Sequence, residues 1–234
     1  MKFTLRTSAL LFAAVVSLSA CDDDDDDITN PQGNARVKVV HASPDAPNVD
    51  VLVDNVSLLS NVAYQSVSTY NNVPSGSRTF VVRSTGTTTN LISQNVDFED
   101  DTDYTVLAAD MRANITPVVL EDDNTAPTTG NVKVRFIHAS PAGSAVDVYV
   151  TAPGADLATA TANATNVTFK NASTYISVPA GNVVVRLTTT GTKTVVATSA
   201  TLALTAGMVR SVIALEKAGG GVPLSLVVSA DRDP

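Results

Sequence analysis

The chain repeats itself, and at long range. Arg36-Val-Lys-Val-Val-His41-Ala-Ser-Pro44 returns as Lys133-Val-Arg-Phe-Ile-His138-Ala-Ser-Pro141, and Val49-Asp50-Val51-Leu52-Val53 returns as Val146-Asp147-Val148-Tyr149-Val150, both at an offset of 97 positions. Ser68-Thr69-Tyr70 with Val73-Pro74-Ser75-Gly76 returns as Ser173-Thr174-Tyr175 with Val178-Pro179-Ala180-Gly181, now at an offset of 105. The second copy is therefore eight residues longer between Thr151 and Asn171, and Pro153-Gly154-Ala155-Asp156 has the chemistry of a turn there. Such a period is too long for a solenoid repeat and fits tandem domains. The stretch from Glu121 to Asn131 is polar and rich in chain breakers. These boundaries predict a first domain over 34–123, a linker over 124–130 and a second domain over 131–234.

Inside each copy the apolar residues alternate. Val37, Val39 and His41 alternate with Arg36, Lys38 and Val40, and Val183, Val185 and Leu187 alternate with Val184, Arg186 and Thr188. Period two with β-branched residues predicts half-buried strands. Turn signals such as Thr85-Gly86 and Pro179-Ala180-Gly181 separate them, giving seven or eight short strands per copy. The expected fold is all-β: two tandem antiparallel β-sandwich, immunoglobulin-like domains. The Ala-rich stretch 155–164 is expected as loop, because of its Thr and Asn content. With 44% apolar residues both domains can build a core. A formal net charge of -8 disfavours an electrostatic nucleic-acid partner. One Cys and two His exclude zinc-finger, disulfide-rich and haem-attachment readings.

The N-terminus reads as an address. Lys2 and Arg6 precede an apolar run over 10–16, which is too short to span a bilayer and has the length of a signal-peptide core. Leu18-Ser19-Ala20-Cys21 resembles the lipobox of bacterial lipoproteins. That resemblance implies a signal peptide over 1–20, cleavage before Cys21 and lipid on its sulfur and new amino group. The mature chain is then expected to sit in the bacterial cell envelope, membrane-bound through its anchor and not spanning. Residues 22–27 are six consecutive aspartates. They repel one another, so 21–33 reads as an extended acidic tether. A weak calcium site is the other reading, but no cage holds the carboxylates. Aspartate after a lipidated cysteine resembles an inner-membrane retention signal, and acidic runs there resemble a surface-export signal, so the two leave the membrane face open.

His41-Ala-Ser-Pro-Asp-Ala-Pro-Asn-Val-Asp-Val-Leu-Val-Asp54, Tyr70 with Val73-Pro74-Ser75-Gly76, and Tyr104-Thr105-Val106 resemble the bacterial domain-of-unknown-function 4397 family. The second copy departs in places: Ala142-Gly143-Ser144 stands for Asp45-Ala46-Pro47, and Arg210 for Tyr104. The resemblance implies secreted or lipid-anchored envelope proteins and brings no biochemical activity.

The candidate site residues are the repeat-equivalent pairs His41 with His138 and Asp50 with Asp147. Imidazole is a common base and metal ligand. Strand parity instead puts each histidine beside apolar neighbours, its ring N–H tied to turn carbonyls or to the Ser43 or Ser140 hydroxyl. Set in separate domains, the two rings are not expected to share a site. Asp45, Asp50 and Asp54 offer carboxylates to a hard cation, but only Asp50 recurs, and turn aspartates commonly bond their own backbone. The segment from Asp100 to Tyr104 resembles a tyrosine corner. The chain has no Gly-x-Ser-x-Gly elbow, phosphate loop, dinucleotide fingerprint or HExxH. By the lipobox resemblance Cys21 is the expected lipidation residue; no catalytic residue, metal or cofactor is expected, and the chain reads as a non-catalytic binding or structural module for an envelope glycan or protein. The alternative is an enzyme acting on envelope polysaccharide or peptide, with Asp and His residues converging from different loops.

Overall fold

The structure, a computed structural model, describes residues 33–234. The expected signal peptide, Cys21 and the tether up to residue 32 lie outside the described residues. The first half contains β1 (Asn34–Ala42), β2 (Val49–Val53), β3 (Val56–Val62), β4 (Asn71–Pro74), β5 (Gly76–Ser84), β6 (Asn90–Phe98), β7 (Asp103–Ala109) and β8 (Thr116–Glu121), with a single 3-10 turn at Arg112–Asn114. The second contains β9 (Asn131–His138), β10 (Val146–Thr151), β11 (Ala164–Val167), β12 (Ile176–Pro179), β13 (Gly181–Thr189), β14 (Val195–Thr198), β15 (Leu202–Leu204), β16 (Val209–Leu215) and β17 (Ser225–Arg232). The all-β expectation holds, and among the described residues no helix is long and apolar enough to cross a membrane.

Each half is a sandwich with the same strand order. In the first, β3-β2-β5-β6 faces β4-β1-β7-β8; in the second, β11-β10-β13-β14, with β15 also on β13, faces β12-β9-β16-β17. Alternation explains the two cores. Val37, Val39, Val51, Phe80, Val82, Tyr104 and Val106 fill the first, and Val134, Phe136, Val148, Val185, Leu187 and Val212 fill the second. Burying one such side chain contributes roughly 1.5–3 kcal/mol.

The inner strands depart from half-burial. All of β7 is buried, as is β1 from Val37 onward. Their second faces meet those of β9 and β16 in a third apolar layer of Val40, Ala42, Leu107, Ala109, Ile137, Ala139, Ile213 and Leu215. Repeat-equivalent residues supply it from both sides: Val40 and Ile137, Ala42 and Ala139, Leu107 and Ile213, Ala109 and Leu215. The described residues thus form one compact unit of four stacked sheets.

Antiparallel pairing is not universal. β1 runs parallel to β7, and β9 parallel to β16, so the inner sheets are mixed. The strands of each pair lie far apart in sequence, and the intervening chain gives the length a parallel crossover needs. The extra residues of the second half form an irregular loop from Ala152 to Asn163. Its counterpart is a tight hairpin turn at Asp54-Asn55, both at positive φ, 48° and 66°.

Candidate functional site

His41 stands next to last in the inner strand β1 and His138 ends the inner strand β9, and both are fully buried. His41 Nε2 lies 2.9 Å from the Pro47 carbonyl, and the Ser43 backbone N–H donates to Nδ1 at 3.4 Å. Nδ1 therefore accepts and Nε2–H donates, which makes the ring a neutral brace across the β1–β2 connection. His138 repeats this with the Ser144 carbonyl at 3.0 Å and the Ser140 N–H at 3.3 Å. Burial holds both imidazoles below their ordinary pKa, against the pull of these carbonyls and, at His138, of Glu216. The carbonyl expectation describes both rings; the serine that contacts each ring does so through its backbone, not its hydroxyl. Gly143 passes so close to His138 that a Cβ there would stand 2.7 Å from ring Cε1, so this turn needs glycine.

Asp50 and Asp147 hold turns. Asp50 Oδ1 accepts from the Asn61 N–H at 2.8 Å and the Thr85 hydroxyl at 2.9 Å. The Asn61 N–H chiefly holds its carboxyl below the usual range. Asp147 accepts from the N–H groups of Asn166 and Gly191, each at 2.8 Å. Asn61 and Asn166 are equivalent and both have positive φ, 54° and 53°, so these carboxylates pin a strained point in β3 and β11. Asp45 accepts from the Arg112 N–H at 2.6 Å, and Asp54 from the Thr79 N–H at 2.9 Å. Tyr104 makes the expected corner, its hydroxyl accepting from the Glu99 N–H at 3.1 Å. At the equivalent place Arg210 donates to the carbonyls of Val209 and Arg232 and pairs with Asp233. Among the described residues no group of three or more His, Cys, Asp and Glu is arranged to hold a metal.

The most densely bonded polar cluster was not among the candidates. Lys38, in β1, donates to Ser229 Oγ at 2.8 Å, the Ala230 carbonyl at 2.7 Å and Asp231 Oδ1 at 2.5 Å, all in the second half. Its equivalent, Arg135 in β9, reaches back to Asp122 Oδ1 at 2.6 Å and the Glu121 carbonyl at 3.0 Å in the first half. Asp122 also accepts from Thr105 and Tyr70, each at 2.6 Å. Asp231 accepts from Ser211, the equivalent of Thr105, at 2.6 Å. Burial pushes the Asp122 carboxyl up, against the pull of Arg135, Thr105 and Tyr70. Lys38 Nζ also lies 4.3 Å from the centre of the Tyr70 ring, and Arg135 Cζ 4.9 Å from that of Tyr175.

The other end of the inner strands carries a second crossing set. The Tyr64 hydroxyl and the Gln65 amide both donate to the Glu216 carbonyl at 2.8 Å, and Lys170, the equivalent of Gln65, pairs with Asp110 at 2.7 Å. The buried Glu216 carboxylate accepts from Ser140 Oγ at 3.0 Å and from the N–H groups of Ala142 and Gly221. Tyr64 packs edge-on against His41, with ring centroids 5.9 Å apart. Tyr64 and Glu216 thus join the two His-Ala-Ser-Pro segments through packing and hydrogen bonds, not through the imidazole nitrogens.

Two side grooves open at equivalent places. The first, about 210 Å³, lies among Val53, Val56, Leu58, Asn72, Val73 and Pro74. The second, about 400 Å³, lies among Val150, Thr151, Asn163, Ser177, Val178 and Pro179. The first runs between the edge strands β3 and β4 of its two sheets, and the second between the end of β10 with its following loop and the hairpin of β12 and β13. An open acidic cleft of about 420 Å³ lies between Asp101–Asp103 and Glu121–Thr125.

Residues 24–149 match the family model described as "Domain of unknown function (DUF4397)", which spans more than half of the chain. The chain belongs to the DUF4397 family. The matched stretch of this DUF4397 chain takes in all of the first half and runs into β10. No curated protein matches the chain. Among solved structures, CBMbc (family CBM26) from Eubacterium rectale Amy13K, solved in complex with maltoheptaose, is 9% identical, with a TM-score of 0.28, over 86% of this chain and 98% of that one. A putative cell adhesion protein from Bacteroides fragilis is 12% identical, with a TM-score of 0.23, over 86% and 98%.

Proposed function

We propose that the chain is a cell-envelope lipoprotein, anchored through Cys21, whose two sandwich halves are both copies of the DUF4397 unit and act as a non-catalytic binding or structural module. The observation that carries this reading is the engagement of the repeat-equivalent polar residues. His41 and His138 have both ring nitrogens bonded to their own turns, and Asp50 and Asp147 are bonded to turn N–H groups. A general base or nucleophile needs a free lone pair within reach of substrate. The acidic segment 22–27 then serves as the spacer from the membrane, and the ligand is an envelope glycan or protein.

Two measurements test the proposal. Labelled palmitate should enter the chain in a bacterial host and be lost in Cys21→Ser, which should leave the membrane fraction; equal labelling of the variant contradicts the anchor. The purified protein should be screened for equilibrium binding to envelope glycans and proteins, with any bound ligand recovered. Unchanged ligand supports a binding module. Conversion of the ligand that is lost in His41→Gln or Asp50→Asn, at unchanged melting temperature, would make the chain an enzyme.

A further inference from the structure

The sealed face between the halves has the character of an isologous interface, in which a surface meets its own equivalent. The apolar layer takes equivalent residues from both sides, as Val40 with Ile137 and Leu107 with Ile213. The polar contacts are reciprocal. The first half offers a cation, Lys38, and an anion, Asp122; the second offers Arg135 and Asp231 at equivalent places, and each cation pairs with the anion of the opposite half. Asp110 with Lys170 and Gln65 with Glu216 cross in the same two directions.

We infer that this face is a self-recognition surface, and that its second partner, besides the other half of the same chain, is the matching half of a second copy. Two chains that open at the connector after β8 can close on one another, first half to second half, and regain the contacts between the halves that lie outside the connector. Only the path of the connector and the entropy of association differ, so the exchanged dimer grows with protein concentration. The connector is built to permit this. Asp122, Asp123, Asn124 and Thr125 are tied down by Arg135, Lys133, Asp103 and Arg232, but residues 126–130 are exposed or half-buried and no strand pairs with them, so the hinge lies there. This inference goes beyond the proposed function and does not depend on a lipid anchor or a ligand.

The test uses two full-length variants with different affinity tags. In a closed chain Lys38→Asp sets an introduced carboxylate against that of Asp231, and Asp231→Lys sets an introduced ammonium against that of Lys38. In an exchanged heterodimer of the two, one interface joins the introduced carboxylate to the introduced ammonium, and the other joins the native Lys38 to the native Asp231. Both ion pairs return only there. The variants are unfolded in denaturant, mixed, refolded together at high concentration, and separated by size and by tandem affinity capture. The expected result is a folded species of twice the chain mass carrying both tags, about tenfold or more above either single-tag dimer, since restored pairs couple by one or two factors of that order. The wild-type chain refolded alone should give a dimer fraction that rises with concentration. Three outcomes overturn the inference: a mixture that refolds only to monomers, heterodimers no more abundant than homodimers, or a mixture that stays unfolded.

Discussion

Lys38 Nζ lies 2.5 Å from Asp231 Oδ1 across 193 positions of sequence, and the two side chains are 1% and 0% exposed. Two charges taken out of water are favourable only when attraction and further hydrogen bonds offset desolvation. Here both conditions are met: the ammonium has three acceptors, and the carboxylate is held by Ser229 and Ser211 as well. The contribution of such a pair to net stability is modest, but its loss on one side alone is severe. Together with Arg135 and Asp122 it fixes the register of β1 and β9 against the opposite half, which apolar contact alone leaves free to slide.

Cooperativity follows from the third apolar layer. The full chain should unfold in one transition, because opening the layer exposes eight buried apolar residues at once. Fragments 34–123 and 131–233 each keep their own core and should fold, but with midpoints well below that of the full chain. Denaturant titration of all three checks this. Two separate transitions in the full chain, at the midpoints of the fragments, would show that the layer adds nothing.

The histidines set a pH dependence. Both rings are neutral when folded, and burial holds their pKa below 6.5. Below pH 6.5 the unfolded chain binds protons that the folded chain refuses. The stability is therefore fully present above that value and falls as pH drops toward the folded pKa, by at most about 1.4 kcal/mol per pH unit for each ring. Burial of Asp122 acts with the opposite sign, since a raised carboxyl loses stability as pH rises through its folded value. Denaturant midpoints between pH 7.5 and 5.5 should fall on acidification, and the slope should lessen in His41→Gln with His138→Gln. A flat profile across that range would mean that the rings take up protons in the fold as readily as in the unfolded chain.

At the His-Ala-Ser-Pro turns, His41→Ala should cost roughly 1–3 kcal/mol through lost packing and a lost hydrogen bond. Gly143→Ala should cost a similar amount, since a Cβ there collides with the His138 ring. Ala46 holds the place in the first half, so Ala46→Gly should do much less harm. Thermal melts separate these cases. A Gly143→Ala chain as stable as wild type would show that the turn is looser than its packing.

The repeat offsets and the alternation of Val37, Val39 and His41 made the sandwich halves legible, because period two reports one buried face. The same argument put Lys38 on an outward face, and that face is sealed by the second half. The sign lay in the other parity: Val40, Ala42, Leu107 and Ala109 are apolar too, the pattern of a strand buried on both sides. Parallel pairing of β1 with β7 left no mark, since alternation is the same for either direction. His41 and Asp50 drew attention as residue types that do chemistry; their spacing carried no information that Pro47 and Asn61 would occupy them. Glu216 carried no mark in the sequence, because its partners Ser140, Ala142 and Gly221 are of kinds that occur everywhere.

The pairing of the halves is tested most directly by a double-mutant cycle on Lys38 and Asp231. Lys38→Met and Asp231→Leu should each destabilise the chain by about 3–5 kcal/mol, because each strands a buried charge. The double variant strands none, and it should cost clearly less than the sum, with a coupling of about 1.5 kcal/mol or more. Single costs that add to within about 0.5 kcal/mol would mean that the two residues do not meet, and would contradict the sealed interface.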